Sequence, residues 1–178
     1  GFSVVLNWSA AIPSGWSILD LACGHGFTIS SALAEGGFSV YGVDASPDLV
    51  LEFRRRLPKA QVKCEAVEVS SFFDRRFDAA ISIGLMFLLN EQSQRQLISR
   101  VSAAVSPGGA FLFTAPKQAV SWTDVLTGQR SQSLGSEAYE ALLKNGGFDL
   151  VNGFADEGEN HYYSARKLLQ SAAYAAHG

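Results

Sequence analysis

Residues 18–26 read Ile18-Leu19-Asp20-Leu21-Ala22-Cys23-Gly24-His25-Gly26. An apolar run meets an acid and then breaks into two glycines flanking a histidine. The run Ser17–Ala22 has the character of a buried strand. Beyond the glycines, Thr28–Glu35 carries a helical pattern that stops at Gly36-Gly37. The stretch is therefore a strand–loop–helix junction. In open α/β sheets, ligands sit beyond the carboxyl ends of the strands, which is where this loop lies.

The same alternation continues outward. Further strand-like runs are Ser39–Asp44, Gln61–Cys64, Phe77–Ile83 and Gly109–Ala115. Ser46-Pro47-Asp48 supplies an N-cap, a proline at the first helical position and an acid in the first turn. That helix is expected to turn Leu49, Val50 and Phe53 inward and to stop before Pro58. A helix over Glu91–Val105 is expected to bury Leu97, Ile98, Val101 and Val105 and to end at Pro107-Gly108-Gly109. Ser136–Lys144 gives another, with Ala138, Leu142 and Leu143 inside. Alternation this regular predicts an α/β fold with a doubly wound, Rossmann-like sheet, parallel through its first five strands.

The chain finishes differently. Phe148–Ala155 and His161–Arg166 are strand-like and are joined only by Asp156-Glu157-Gly158-Glu159-Asn160. A parallel crossover needs about a dozen residues or more, so this pair is an antiparallel hairpin. The expectation is a seven-stranded sheet, parallel except for a C-terminal antiparallel hairpin strand. One long segment, Pro116–Gly135, shows no regular pattern, and loops of that length are usually functional. The tail Ser171–Gly178 reads as a weak helical end without evident chemistry.

At 178 residues the chain reads as one domain, 1–178, with its core over 16–167. Hydrophobic content of 47% and charged content of 17% describe an ordinary globular chain rather than a disordered one. A net charge of −3 supplies no global field for nucleic acid or an anionic membrane. Arg54-Arg55-Arg56 and Arg75-Arg76 read as solvated faces. Cys23 and Cys64 form no CxxC pair, which fits a reducing, cytoplasmic setting. No apolar run reaches membrane-spanning length, and no signal-peptide pattern opens the chain.

What the glycine loop holds is narrowed by what is missing. No Gly-Lys-Ser/Thr follows, so this is not a Walker loop. Gly24 and Gly26 fit the start of a dinucleotide fingerprint, but Ile29 stands where its third glycine or alanine belongs. Asp44 ends the second strand at about the separation from the glycines where a carboxylate meets a ribose diol. Its bland alternative is a carboxylate flanking the helix at Ser46-Pro47. Asp20 precedes the glycines, where it would repel a phosphate and welcome a cation. Together these residues point to a nucleoside carrying positive charge. Cys23 and His25 lack the further ligands of a tetrahedral set, so no metal is expected. Cys23 also has no evident partner base to make it a nucleophile.

On these residues the chain resembles the class I S-adenosylmethionine-dependent methyltransferases of the small-molecule type (methyltransferase type 11/12/25-like), from roughly Trp16 to Lys167. Asp20–Gly26 resembles that family's first motif, with Ala22 where many members carry the first glycine. The resemblance implies that this loop, through Asp20, Ala22, Gly24 and Gly26, wraps the methionyl part of S-adenosyl-L-methionine. It implies that Asp44 binds both ribose hydroxyls and that Ala45 packs on the adenine. Cys64-Glu65-Ala66 falls where the family shows Gly-Asp-Ala. That implies Glu65 accepting from the adenine amino group and the Ala66 N–H meeting a ring nitrogen, with Glu68 competing for the first role. Phe77–Ile83 resembles the fourth strand, whose end at Ile83 lines the methyl donor. Ser106-Pro107-Gly108-Gly109 resembles the turn into strand five. The implied product is S-adenosyl-L-homocysteine.

A sulfonium is already an activated electrophile, so the main work is in-line positioning of the nucleophile. A general base matters only for an acceptor that is protonated at working pH. Gly84-Leu85-Met86-Phe87-Leu88-Leu89 is apolar and lacks the Asn/Asp-Pro-Pro-Tyr motif of enzymes that methylate amide or adenine nitrogens. It reads equally as core filling or as an acceptor wall. If the first hairpin strand runs parallel to the rest, its turn brings Glu157, Glu159, Asn160 and His161 to the cofactor rim. His161 is then the candidate catalytic base, since its unperturbed pKa lies near neutrality; an exposed polar tip is the alternative. Of Tyr162 and Tyr163, at most one is expected to face the site. Pro116–Gly135 carries Lys117, Trp122, Asp124 and Arg130 and is a candidate lid. Only about 17 residues precede the first strand, so the pocket is expected to be open on that side unless the native N-terminus is longer.

The leading expectation is methyl transfer to a small-molecule acceptor, with no nucleic-acid or membrane partner. Three alternatives compete: a cofactor-binding module without catalysis, a macromolecular acceptor, and a nicotinamide-dependent oxidoreductase. Ile29 and the terminal hairpin weigh against the last.

Overall fold

A helix, α1 (Phe2–Ala10), leads into β1 (Ser17–Leu21), α2 (Ile29–Glu35), β2 (Ser39–Asp44), α3 (Pro47–Arg56), β3 (Gln61–Cys64) and β4 (Phe77–Ser82). Then come α4 (Glu91–Ala104), β5 (Val105–Thr114), β6 (Ala119–Thr123), β7 (Arg130–Leu134), α5 (Ser136–Asn145), β8 (Phe148–Ala155) and β9 (His161–Lys167). This computed structural model describes residues 1–170, so the Ser171–Gly178 tail lies outside the described residues.

Seven strands form one sheet in the order β3-β2-β1-β4-β5-β9-β8. β1 to β5 pair in parallel. β9 is antiparallel to both β5 and β8. The expected α/β sheet, with a single antiparallel strand from the C-terminal hairpin, is therefore the observed one. Since β8 runs parallel to β1, its turn at Asp156–Asn160 lies on the same rim as the glycine loop.

The sheet is sealed on both faces because its central strands are apolar on both. Every residue of β1 is buried. One layer gathers Leu19, Leu21, Phe111, Phe113 and Tyr163 with Leu97 and Val101 of α4. The opposite layer gathers Ile18, Ile81, Leu112 and Tyr162 with Leu33 of α2 and Phe53 of α3. Tyr162 and Tyr163 thus alternate across β9 into the two layers, and both are buried. With both in the core, the limit of at most one facing the site holds. α1 packs Val5 into the second layer and lines neither of the cavities described below.

Helix starts follow local chemistry. The Ser46 hydroxyl accepts from the Leu49 N–H at 3.4 Å and Pro47 occupies the first turn of α3. Asn90 caps α4 by accepting from the Ser93 N–H at 2.8 Å. Val50 and Phe53 are buried as expected, but Leu49 stays 37% exposed. In α5, Tyr139 takes the interior beside Leu143, while Ala138 and Leu142 are only half-buried.

Two regions depart from expectation. α4 ends at Ala104 and β5 begins at Val105, so Ser106-Pro107-Gly108-Gly109 lies within a strand rather than a turn. The pairing of β4 with β5 shifts register between Phe77 and Ala79, which absorbs the irregular glycine segment. The segment Pro116–Gly135, expected to be irregular, contains the antiparallel pair β6–β7. Asp124 closes its turn, accepting from the Leu126 N–H at 2.9 Å and the Thr127 N–H at 2.8 Å. A buried polar chain ties this hairpin to the body: the Tyr139 hydroxyl donates to Gln94 Oε1 at 2.6 Å and accepts from the Leu134 N–H at 3.1 Å. Gln94 in turn donates to the Gln132 carbonyl at 2.9 Å. Among the described residues, no helix is long and apolar enough to cross a membrane.

Candidate functional site

Beyond β1 the chain must reverse within a few residues to start α2. The Ala22 and Cys23 N–H groups both donate to the Val43 carbonyl, at 2.8 and 3.2 Å. Ala22, Gly24 and Gly26 then adopt left-handed conformations, with φ of 62°, 59° and 71°. The Asp44 carboxylate clamps the loop, accepting from the Gly24 N–H at 2.9 Å through Oδ2 and from the Ser46 N–H at 2.9 Å through Oδ1. The glycines serve different ends. A Cβ on Gly26 would lie 2.7 Å from the Phe53 ring, whereas a Cβ on Gly24 would meet nothing within 4 Å.

That open side of the backbone faces a cavity of about 320 Å³. Five of the expected residues line it: Asp20, Ala22, Gly24, Gly26 and Ile83. Phe27, Thr28, Ile29 and Leu49 also line it and were not anticipated. The signal for Leu49 was the N-cap itself, because a helix starting three residues after Asp44 brings its first turn back to this rim.

Asp44, Ala45, Glu65 and Ala66 do not line this cavity but sit together at the ends of β2 and β3. Asp44 is in register with Cys64, and the Glu65 N–H donates to the Asp44 carbonyl at 3.0 Å. Glu65 Oε1 lies 3.8 Å from the Lys63 ammonium, while its Oε2 is buried without a partner among the described residues. Glu68, the rival for its role, is exposed.

Asp20 is 4% exposed and accepts the Ser30 hydroxyl at 2.5 Å. Burial pushes its carboxyl up to about 6, against the lowering effect of Ser30 and with some help from Asp44. The Cys23 thiol is driven strongly upward by burial and then by Asp20 and Asp44. It packs against Gly42, where a Cβ would stand 2.6 Å from Sγ. A thiol held in its neutral form is a filler, not a nucleophile. His25 is exposed and accepts the Phe27 N–H at 3.1 Å through Nδ1. Among the described residues, no group of three or more His, Cys, Asp and Glu could hold a metal ion.

A second cavity, of about 550 Å³, opens on the same rim past β5 and β9. Its walls come from the regions singled out in the sequence: Phe87 after β4, Lys117 and Trp122 from the Pro116–Gly135 segment, and Glu159, Asn160 and His161 from the hairpin tip. The Gly84 N–H donates to the Thr114 hydroxyl at 2.8 Å. This bond lies at the boundary, since Ile83 lines the first cavity and Thr114 the second.

His161 sets its ring edge-on to Tyr163, centroids 4.8 Å apart. Burial, and then the nearby Lys117 charge, lower its pKa. Asp124, Arg130 and Glu157 do not line this cavity. The tip is held by Asp156, whose Oδ1 accepts from the Gly158 and Asn160 N–H groups at 2.9 and 3.0 Å. The Tyr162 hydroxyl donates to Asp156 Oδ2 at 3.0 Å.

A family model described as a methyltransferase domain matches residues 18–109, more than half of the chain. The chain belongs to the methyltransferase domain family. Over 103 residues it is 39% identical to the cypemycin N-terminal methyltransferase of a Streptomyces species, an alignment covering 54% of this chain and 40% of that one. The chain spans about half the length, or less, of the curated relatives it matches: 40%, 44% and 52% of three of them. Among solved structures, a SAM-dependent methyltransferase from Methanosarcina mazei superposes with a TM-score of 0.76 at 20% identity, covering 96% of this chain and 99% of that one. The 1,6-didemethyltoxoflavin-N1-methyltransferase of Burkholderia thailandensis, solved with 1,6-didemethyltoxoflavin and S-adenosylhomocysteine, also gives 0.76, at 18% identity and with 93% and 77% covered. At such identities these superpositions establish the methyltransferase fold.

Proposed function

We propose that this methyltransferase-family chain transfers a methyl group from S-adenosyl-L-methionine to a small-molecule acceptor, releasing S-adenosyl-L-homocysteine. The observation that carries the reading is the Asp44–Gly24 clamp, which sets a carboxylate with spare acceptor capacity beside an open stretch of backbone.

The residues present fit the methyl donor. Each Asp44 oxygen accepts one backbone N–H, and a carboxylate offers about four lone-pair sites, so two remain for a ribose diol. Glu65 Oε2 is a buried acceptor without a donor, as an adenine amino group requires. The space over Gly24 admits the methionyl part without a Cβ in the way. Asp20 supplies a carboxyl whose ionised form a neighbouring cation would favour. Ala45 and the Ala66 N–H complete the proposed adenine site, and Ile83 stands at the border towards the acceptor. When bound, the donor supplies a methyl carbon activated by sulfonium charge.

The chain's own contribution is binding and aim. The Gly84–Thr114 bond links the residue after Ile83, which lines the first cavity, to Thr114, which lines the second, and this placement suits an acceptor approaching the methyl from the side opposite the nucleoside. His161, with its lowered pKa, is the proposed proton acceptor, and the Phe87 and Trp122 rings are proposed acceptor walls. The cavity's size supports a small molecule, as does the 1,6-didemethyltoxoflavin bound by the Burkholderia structural neighbour. The free thiols Cys23 and Cys64 suit the reducing, cytoplasmic setting that is part of this proposal.

The test is release of S-adenosyl-L-homocysteine, read by mass spectrometry, across a panel of hydroxyl, amine, thiol and carboxyl acceptors. The panel includes a peptide N-terminal amine, the kind of acceptor named for the Streptomyces relative. Acceptor-dependent release supports the proposal. Donor binding with no release across the panel would favour a binding module instead.

A further inference from the structure

We infer that the acceptor is a planar aromatic molecule bearing an acidic hydroxyl, a phenol or an enol, seated against Phe87 and Trp122 with its oxygen towards Lys117 and His161. The inference rests on the methyltransferase reading and narrows its acceptor.

Shape comes first. The Phe87 and Trp122 rings stand 5.8 Å apart at 39°, both half-buried, on the wall formed by the turn after β4 and by β6. Rings held this way offer flat apolar faces to a flat ligand. The hairpin carrying Trp122 is tied to the body through the Tyr139–Gln94 chain, so the wall has a fixed base.

Charge comes second. Lys117 and His161 line the cavity together, and Lys117 forms no ion pair among the described residues. Glu159 also lines the cavity but makes no ion pair among the described residues. The Lys117 charge disfavours a protonated amine and favours an oxyanion. Its pressure on His161 acts in the same direction, keeping the imidazole neutral and able to take a proton.

Mutual support comes third. Ser136 fixes the Lys117 carbonyl through its N–H at 2.9 Å and its hydroxyl at 3.3 Å. The same hydroxyl meets the Tyr163 hydroxyl at 3.0 Å, and the Tyr163 ring carries His161. The Lys117 backbone is therefore bonded to, and the His161 ring packed on, the same Ser136–Tyr163 pair, while the exposed Lys117 side chain is left to reach a ligand. In the reaction the hydroxyl proton passes to the imidazole and the oxygen–methyl bond forms. The methyl–sulfur bond breaks with its electron pair left on sulfur. An aryl or enol methyl ether and a thioether result, and the imidazolium returns its proton to water.

The test uses para-nitrophenol, whose ionised form absorbs visibly, bound to the protein in the presence of S-adenosyl-L-homocysteine. The expected result is an ionisation midpoint about one pH unit below that of the free dye. Lys117→Gln should return the midpoint to the free value. Trp122→Ala should weaken dye binding about tenfold while leaving the bound midpoint lowered. An unshifted midpoint, or a shift that survives Lys117→Gln, would overturn the inference. So would turnover confined to amines. Calorimetry with S-adenosyl-L-homocysteine alone separates the two levels. If the nucleoside binds but the dye is unshifted, only the acceptor class falls. If the nucleoside does not bind, the parent reading falls and this one with it.

Discussion

Asp44 accepts the Gly24 N–H at 2.9 Å across twenty residues of chain, stitching the loop after β1 to the end of β2. The bond explains why an acid ends the second strand and why the loop turns where it does. It also leaves the carboxylate poised beside the open face of Gly24.

The strain in this loop falls on Ala22, a residue with a Cβ at φ 62°. The left-handed region costs an L-residue about 1–2 kcal/mol, partly offset in glycine by backbone entropy. Ala22→Gly should therefore stabilise the fold by about 0.5–1 kcal/mol. A higher urea midpoint with an unchanged slope is the expected readout, and a lower midpoint would contradict it.

Gly24 and Gly26 should separate binding from folding. Gly26→Ala drives a Cβ to 2.7 Å from the Phe53 ring, an overpacking that costs about 2–3 kcal/mol. Gly24→Ala meets no protein atom within 4 Å, so it should cost only the strain of about 1 kcal/mol while weakening nucleoside affinity at least about tenfold. Thermal melting and calorimetry on both variants read the contrast, and equal effects on both quantities would contradict it.

Asp20 gives stability a sign with pH. Its folded carboxyl sits at about 6 against an ordinary 3.8, so the native chain holds the extra proton between those values. Stability should therefore fall as pH rises from about 4 to about 6 and level off above. Asp20→Asn keeps an acceptor for Ser30 and removes the buried charge. It should flatten that fall, with a gain at neutral pH on the order of 3 kcal/mol. Urea unfolding of both proteins from pH 4 to 8 checks this, and parallel curves would refute it.

Tyr139→Phe should loosen the second cavity from behind. It strips Gln94 Oε1 of its donor and the Leu134 N–H of its acceptor. Leaving these groups unpaired costs about 2–3 kcal/mol. Hydrogen exchange at Leu134 and along β7 should accelerate ahead of the central strands, and uniform protection would argue against the tether.

The sheet was legible because its signals are strong and local: largely apolar runs in β1 and β4, each broken by a single acid, a Ser-Pro-Asp helix start, and a five-residue connection that only a hairpin can use. The hairpin β6–β7 was not, because its inward positions are Ser131 and Ser133. They alternate in burial without alternating in hydropathy. β5 hid its first residues behind Pro107-Gly108-Gly109, which reads as a turn until a register shift accommodates it. At the site, Asp20, Ala22, Gly24, Gly26 and Ile83 line one cavity, whereas Asp44, Ala45, Glu65 and Ala66 lie outside its lining. Leu49 was missed because an apolar residue in an amphipathic helix looks like core, and Asp124 looked chemical but closes a turn.

The most direct measurement is calorimetric binding of S-adenosyl-L-homocysteine to the wild type, Asp44→Asn and Asp44→Ala, with NAD as the competing nucleotide. The account predicts binding of the nucleoside thioether, no comparable binding of NAD, and a loss of about 30-fold in Asp44→Ala, in protein that still melts cooperatively. Unchanged affinity in the folded Asp44→Ala variant, or tighter binding of NAD, would contradict it.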